Sequence, residues 1–264
     1  MTDVFDALEF FGGSRNRIRL FETLAAGPRD RRTLQREADV NRVTAGRVLA
    51  DLVEFGWVRQ RDDAYALTPM GEVVADALAD FDDRLTAAAT LGDVLEWLPL
   101  ADLGLDVTWL ADATVVTPER SDPQAALRRA HETVREATDL AMLSHAFTPA
   151  IVDTVHRRVM DGELTLEMIV TAEVLSVVAS DPDLAAKLRD LTASSAATVF
   201  RYDGEIPHIL AVADDLISLG IDDDRGRSQA LLEATDPRLH DWATGTLDEY
   251  RAAATKVTAA DISP

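Results

Sequence analysis

Arginine carries most of the chemistry this chain can offer, and it is unevenly placed. Residues 15–61 hold 11 Arg, no Lys and 6 Asp or Glu, a local charge of +5, whereas residues 91–264 hold 14 basic against 31 acidic residues, a local charge of −17, within a net charge of −21. One segment therefore attracts polyanions while the rest repels them. Within that segment Arg42, Val43, Thr44, Gly46 and Arg47 fall on the outward side of a helical pattern that opens at Asn41. A helix that docks in the major groove of double-stranded DNA needs small or polar residues at its N-terminal end and a basic side chain that reaches base edges. Arg42 and Arg47 suit guanine or phosphate, and Thr44 suits a phosphate or a thymine methyl. Gly46 is costly inside a helix, which leaves close approach of DNA or simple tolerance as its reason. Arg31, Arg32 and Arg36 lie where they can brace a phosphate backbone, and Arg59 and Arg61 where a wing meets phosphates or the flanking minor groove. The plainer alternatives are arginines solvated on exposed helix faces, or a surface that binds protein.

Other chemistries lack their residues. There is no cysteine, hence no disulfide, thiolate metal site or thiol redox switch. His131, His145, His156, His208 and His240 are scattered, with no HxH or HExxH pair to hold a metal. Ser144-His145 sets a hydroxyl beside an imidazole, but adjacent side chains rarely face one another and a capped turn accounts for them. No glycine-rich loop cradles a phosphate. Asp222-Asp223-Asp224 reads as a solvated turn before it reads as a cation site. The expectation is a protein with no catalytic residues, metal or cofactor.

The elements that must position the arginines read as a winged helix-turn-helix over residues 14–71. Ser14 can cap a helix with Ile18, Leu20, Phe21 and Leu24 on one face, which Gly27-Pro28 stops. Val4, Leu8 and Phe11 fit a helix ahead of it. Asp30 caps a short helix carrying Leu34 and Ala38, and Asn41 caps a third with Ala45, Val48, Leu49 and Leu52 inward. Gly56 ends that helix. Trp57–Arg61 and Ala64–Leu67 alternate as a hairpin around Asp62-Asp63, and Thr68-Pro69 opens another helix. This last helix is expected to run to about Trp97 on the spacing of Val73, Val74, Ala77, Leu78, Phe81, Leu85, Ala88 and Leu95. Such a connecting helix either carries a dimer interface or packs on its own domain.

Beyond residue 100 strands alternate with helices. Ala113–Val116, Leu140–Leu143, Leu164–Val170, Ala197–Tyr202, Ile209–Ala213 and Leu216–Ile221 are short apolar runs. Helices are expected over 123–137, 149–160, 173–179, 183–194 and about 236–254, with Asp122-Pro123 and Asp181-Pro182 opening two of them. This is an α/β layer with a partly parallel sheet. A pocket is expected where strands end against helix starts, with Ser144, His145, Phe147, Thr171, Glu173, Arg201 and Tyr202 as candidate lining residues. Capping of helices and turns is the plainer role for each.

The acids are 32 Asp and 15 Glu, and the bases 24 Arg and 2 Lys. A hydrated Asp surface with almost no Lys resembles the halophilic, archaeal proteins that work in molar salt; an ordinary acidic protein from a GC-rich genome is the alternative. No apolar run spans a bilayer and no signal segment opens the chain, so the expected location is cytoplasmic, with no membrane partner.

FGGSRNRIRLFETLAAGPRDRRTL, the third helix with GWV, and LTPMG together resemble haloarchaeal helix-turn-helix transcriptional regulators. LTLEMIVTAEVL, HILAVADDLISLGIDDDRG and LHDWATGTLDEYRAAA resemble the middle-domain family found in the methanogenesis (filament-formation) regulator of methanogens. The resemblance implies a transcription factor whose C-terminal domain is related in fold to phospholipase D and to the sugar-responsive TrmB regulators, where it senses or assembles and does not catalyse. Phospholipase D chemistry needs two HxK arrangements, and neither Lys187 nor Lys256 follows a His by two residues.

The expected fold class is mixed. It comprises an α+β winged helix-turn-helix DNA-binding domain (1–71), a connecting helix and possible dimer interface (72–98), and a phospholipase D-like, non-catalytic α/β sensor or assembly domain (99–264). The expected function is sequence-specific transcription regulation by a homodimer, with an unknown small-molecule effector as a further partner. The alternative is a winged-helix protein-protein adaptor without specific DNA binding.

Overall fold

The computed structural model describes residues 3–223 and 225–262; Asp224, the last of the acidic triplet, lies outside the described residues. The chain forms two compact units that divide in sequence between Asp83 and Arg84.

The first unit contains α1 (Val4–Gly12), α2 (Arg15–Ala25), β1 (Arg29–Asp30), α3 (Arg31–Glu37), α4 (Arg42–Glu54), β2 (Val58–Arg61), β3 (Ala64–Leu67) and the start of α5 (Pro69–Leu91). Its antiparallel sheet has the order β1-β3-β2. Asp30 Oδ1 accepts from the backbone N–H groups of Arg32 (2.8 Å) and Thr33 (2.9 Å), and Asn41 Oδ1 accepts from that of Thr44 (2.9 Å). These caps satisfy donors that a helix start leaves open. Ser14 holds the cap position of α2 but makes no side-chain cap bond. The tight turns before α4 and at the wing tip place Asp39 (φ 52°) and Asp62 (φ 51°) in left-handed backbone, which Asp tolerates better than most residues.

Leu20, Phe21, Leu24, Leu34, Ala45, Val48, Leu49 and Leu52 form the core of this unit, with Trp57 closing it. The buried face of α1 is Phe10 and Phe11; Val4 and Leu8 are 73% and 54% exposed, against the spacing expected for them. Trp57 stacks with Phe11 (5.4 Å between centroids) and Phe55 (4.6 Å). Its carbonyl accepts the Thr68 N–H at 2.9 Å, while the Thr68 hydroxyl donates to the Gly56 carbonyl (2.7 Å) and accepts from the Gly71 N–H (3.0 Å). Gly71 packs directly on the Trp57 carbonyl. The LTPMG stretch thus locks the end of the wing and the start of α5 onto the end of α4.

The helix expected to reach Trp97 stops at Leu91. Gly92 turns left-handed (φ 50°) and the chain continues as a 3₁₀ turn over Gly92–Glu96. Val73, Phe81 and Leu85 on α5 are each more than half exposed.

The second unit adds α6 (Leu100–Leu103), a 3₁₀ turn (Val107–Leu110), β4 (Thr114–Val116), α7 (Ala125–Glu136), β5 (Asp139–Ser144), α8 (Pro149–Met160), β6 (Thr165–Thr171), α9 (Ala172–Ser180), α10 (Pro182–Ala193), β7 (Ala197–Tyr202), β8 (Ile209–Ala213), β9 (Leu216–Asp222), β10 (Ser228–Ala234), α11 (Pro237–Ala253) and β11 (Thr255–Lys256). The strands make one sheet of order β11-β7-β6-β5-β8-β9-β10-β4. The β5-β6 and β6-β7 pairs are parallel and the others antiparallel. Alternate residues face opposite layers. Leu143, Ile169, Leu210, Leu219 and Leu232 pack with Leu239, Ala243 and Leu247 of α11 and with Leu91, Val94, Leu98 and Leu110. Leu140, Leu166 and Ala213 pack with Val134 of α7, Val155 and Val159 of α8 and Leu191 of α10.

Two expectations about this unit fail locally. Asp122-Pro123 does not open α7, which begins at Ala125 after Gln124; the Asp122 carboxylate pairs with Arg128 and makes no cap. The strand β10 was not foreseen. It carries Glu233, 4% exposed, between buried apolar neighbours. Arg129 Nε at 2.6 Å and the Thr133 hydroxyl at 2.8 Å, both on α7, donate to its carboxylate.

Gly71→Ala should destabilise the first unit by about 1–3 kcal/mol, the range for overpacking a filled site, because the new methyl overlaps the Trp57 carbonyl. Urea unfolding followed by tryptophan fluorescence measures it, and an unchanged midpoint would show that the junction yields freely.

Candidate functional site

On α4 the exposed residues of the expected set are Arg42, Val43 and Arg47, with Val43 82% exposed. Thr44 is half-buried, its N–H held by Asn41. Arg31, Arg32 and Arg36 are exposed on α3, and Arg59 and Arg61 on β2. Among the described residues no carboxylate lies within 4.0 Å of Arg32, Arg42, Arg47, Arg59 or Arg61. Arg36 is 3.6 Å from Glu37, which also pairs with Arg29 at 3.1 Å.

The second unit draws several of its cations into pairs, although among the described residues Arg120, Arg135, Arg157, Arg225 and Lys256 likewise have no carboxylate within 4.0 Å. Arg129 pairs with Glu233 (2.6 Å), Lys187 with Asp153 (2.6 Å) and with Asp183, Arg251 with Glu167 (3.0 Å), and Arg238 with Asp236 (2.8 Å). The Asp236 carboxyl is held below its usual 3.8, first by the Arg238 side chain and then by backbone donors. Lys187, between two aspartates, is not presented to a phosphate.

Gly46 has an intramolecular neighbour that neither sequence explanation included. The Arg31 guanidinium lies over it, where a Cβ would sit, and donates to the Arg42 carbonyl at 3.3 Å. Arg31 thus spans from α3 to α4 and covers part of the face otherwise available to a partner.

The second unit contains a cavity of about 200 Å³. Ser144 and Phe147 line it, but His145, Thr171, Glu173, Arg201 and Tyr202 do not. Thr171 caps α9 through the Val174 N–H (3.2 Å), and Glu173 is exposed in the first turn of that helix. Arg201 pairs with Asp203 at 2.9 Å, and Tyr202 packs edge-on against Tyr250. His145 Nε2 lies 3.4 Å from Asp222, while burial pushes the His208 imidazole below its usual 6.5. Of the expected strand-end residues, Ser144 and Phe147 border this cavity, and Thr171 and Tyr202 are register partners on β6 and β7 outside it. The cavity lies instead between the sheet and α7–α10, and its walls include Ala130, Met142, Met168 and Ala211. In the sequence these residues are indistinguishable from core.

An N-terminal winged helix followed by a separate α/β unit is an architecture of two modules. Residues 5–90 match the family described as the HVO_A0261 N-terminal domain, and residues 123–253 match that of the middle domain of the methanogenesis regulatory protein FilR1. Three solved structures are similar in part. TrmBL2, an archaeal chromatin protein, is 14% identical, with a TM-score of 0.45 over 97% of this chain and 100% of that one. Nuc of Salmonella typhimurium, a phospholipase D family member, is 11% identical, with a TM-score of 0.43 over 55% of this chain and 97% of that one. NucT of Helicobacter pylori is 13% identical, with a TM-score of 0.44 over 55% and 98%. No curated protein matches the chain. Among the described residues no helix is long and apolar enough to cross a membrane.

Gly46→Ala should raise the stability of the first unit by about 0.5–1 kcal/mol, the helix preference for Ala over Gly, because the obstructing group is the mobile end of Arg31. Denaturant unfolding tests this; a net loss would make the Arg31 contact structural.

Proposed function

We propose that this chain is a double-stranded DNA-binding transcriptional regulator. In this reading α4 enters the major groove, β2 and β3 form a wing on the flanking backbone, and the α/β unit serves assembly or effector sensing. The observation that carries the reading is the set of unpaired arginines on α4 and the wing. In a chain of net charge −21 carboxylates are plentiful, so cations left without one are open to an external anion. The match to a regulator's middle domain supports the same conclusion. Arg42 and Arg47 reach base edges or phosphates, Asn41, Val43 and Thr44 set how closely α4 approaches, Arg32, Arg36, Arg59 and Arg61 hold phosphates, and Arg31 joins them, uncovering Gly46, when its guanidinium swings off the Arg42 carbonyl.

Two copies acting together would read paired half-sites. Val73, Ala77 and Phe81 recur four residues apart on α5, exposed, as an interface helix requires. A change in the α/β unit would alter the separation of two winged helices and so their fit to DNA. The Asp-rich, Lys-poor composition supports a halophilic archaeal origin, and the cell compartment this reading requires is the cytoplasm, where the DNA is.

Arg47→Ala should weaken binding by roughly 1–3 kcal/mol and relax specificity at one base pair if the side chain reads a base, measured by fluorescence anisotropy on selected sites. Unchanged affinity on every site would remove Arg47 from the interface. Small-angle scattering should give a dimer that Phe81→Glu converts to monomers; a wild-type monomer both free and on DNA would end the half-site mechanism. Melting should lose cooperativity as salt falls below the molar range, since carboxylate repulsion is then unscreened. A sharp transition in dilute buffer would contradict the halophilic origin. A chain that captures a protein partner and ignores DNA would establish the adaptor instead.

A further inference from the structure

The cavity beneath α7–α10 has walls that define what can fill it. Met142 and Met168 sit in neighbouring parallel strands, beside Ile209 and Ala211 on β8, and α7, α8, α9 and α10 supply Ala130, Ile151, Val174 and Leu188. Met142, Met168, Ile209 and Ala211 are only half-buried, although residues at such positions in a helix-covered sheet are ordinarily sealed. Apolar surface is thus left uncovered in the interior of the unit, which favours an apolar occupant.

No charged side chain lines the cavity, and its four hydroxyls are already engaged. The Ser144 hydroxyl donates to the Ala146 carbonyl at 2.6 Å, and that of Thr133 donates to Glu233 at 2.8 Å. The Ser218 hydroxyl points to the same Glu233 oxygen at 3.5 Å, and the Thr148 hydroxyl accepts from the Ile151 N–H at 3.3 Å. A sugar or nucleotide entering here would exchange most of its hydrogen bonds with water for none, since only the Thr148 O–H is left to donate, which is strongly unfavourable. A dry cavity of about 150 Å³ accommodates benzene, and this one measures about 200 Å³. The methionines add walls that adapt to shape.

We infer that this cavity is a binding site for a compact, uncharged, apolar molecule about the size of an alkylbenzene. Occupancy is read without DNA, so the site and the DNA-binding reading stand or fall separately. The test is isothermal calorimetry and saturation-transfer NMR on the full chain with n-butylbenzene as probe, and with glucose and octanoate as polar and charged comparators. Butylbenzene should bind saturably at one site, glucose should not bind, and octanoate should bind more weakly than butylbenzene. Ala211→Leu and Ala130→Leu, made separately on the sheet and on α7, fill the same space from opposite walls. Each folded variant should weaken butylbenzene binding about tenfold or more, a change of about 1.4 kcal/mol. Binding that is absent, non-saturable, unchanged by both fillings, or stronger for glucose would overturn the inference.

Discussion

Self-repulsion is the constraint every part of this structure answers to, since 47 carboxylates face 26 Lys and Arg in one chain. The fold meets it by giving aspartates local work. Asp30, Asp106, Asp181 and Asp236 each cap a helical segment, accepting backbone N–H groups that would otherwise be unsatisfied. Asp214, left-handed at φ 52°, accepts from the Thr138 hydroxyl (2.6 Å) and the Asp139 N–H (3.0 Å), tying the β8-β9 turn to the start of β5. These bonds hold the Asp30, Asp106 and Asp214 carboxyls below their ordinary 3.8, and Asp236 is held below it first by the Arg238 side chain and then by its backbone donors. A depressed folded-state value means that the contribution is present above the unfolded value and lost as the pH falls through the folded one.

The same constraint makes the first unit's arginines conspicuous. The second unit draws many of its cations into pairs, whereas α4 and β2 display Arg42, Arg47, Arg59 and Arg61 without carboxylates among the described residues. The junction around Trp57 holds that surface in place. The stacked rings of Phe11, Phe55 and Trp57 close the core at the end of α4, and Thr68 and Gly71 fasten the wing and α5 to the same point. The end of α4 and the wing are therefore tied to each other through backbone contacts.

Much of the first unit was legible because its signals are local. Asp30 and Asn41 are caps three residues from what they cap, and Leu34, Val48 and Leu52 declare their face by spacing. What the sequence concealed depends on contacts distant along the chain or on a single backbone angle. Apolar spacing continues past Gly92 through Val94 and Leu95, so only the left-handed turn at Gly92 reveals where α5 ends. The strand β10 (SQALLEA) contains no β-branched or aromatic residue and two Ala and a Glu that strands disfavour, and its buried Glu233 makes sense only once Arg129 and Thr133 are seen on α7. The group that lies over Gly46 is Arg31, fifteen positions earlier and on another helix. The cavity was misplaced for a related reason. His145, Arg201 and Tyr202 stand outside it at strand ends, while its walls are chiefly Val, Leu, Ile, Met and Ala residues whose alternation reads as ordinary core.

The central claim is that the arginines of α4 address particular DNA sequences. Chromatin immunoprecipitation with sequencing of the tagged full chain, beside an Arg42→Ala/Arg47→Ala form of equal abundance, addresses it most directly. The account predicts discrete peaks sharing a motif with regularly spaced half-sites, and their loss in the double variant. A flat profile from a folded, abundant protein, or peaks that persist in the double variant, would contradict it.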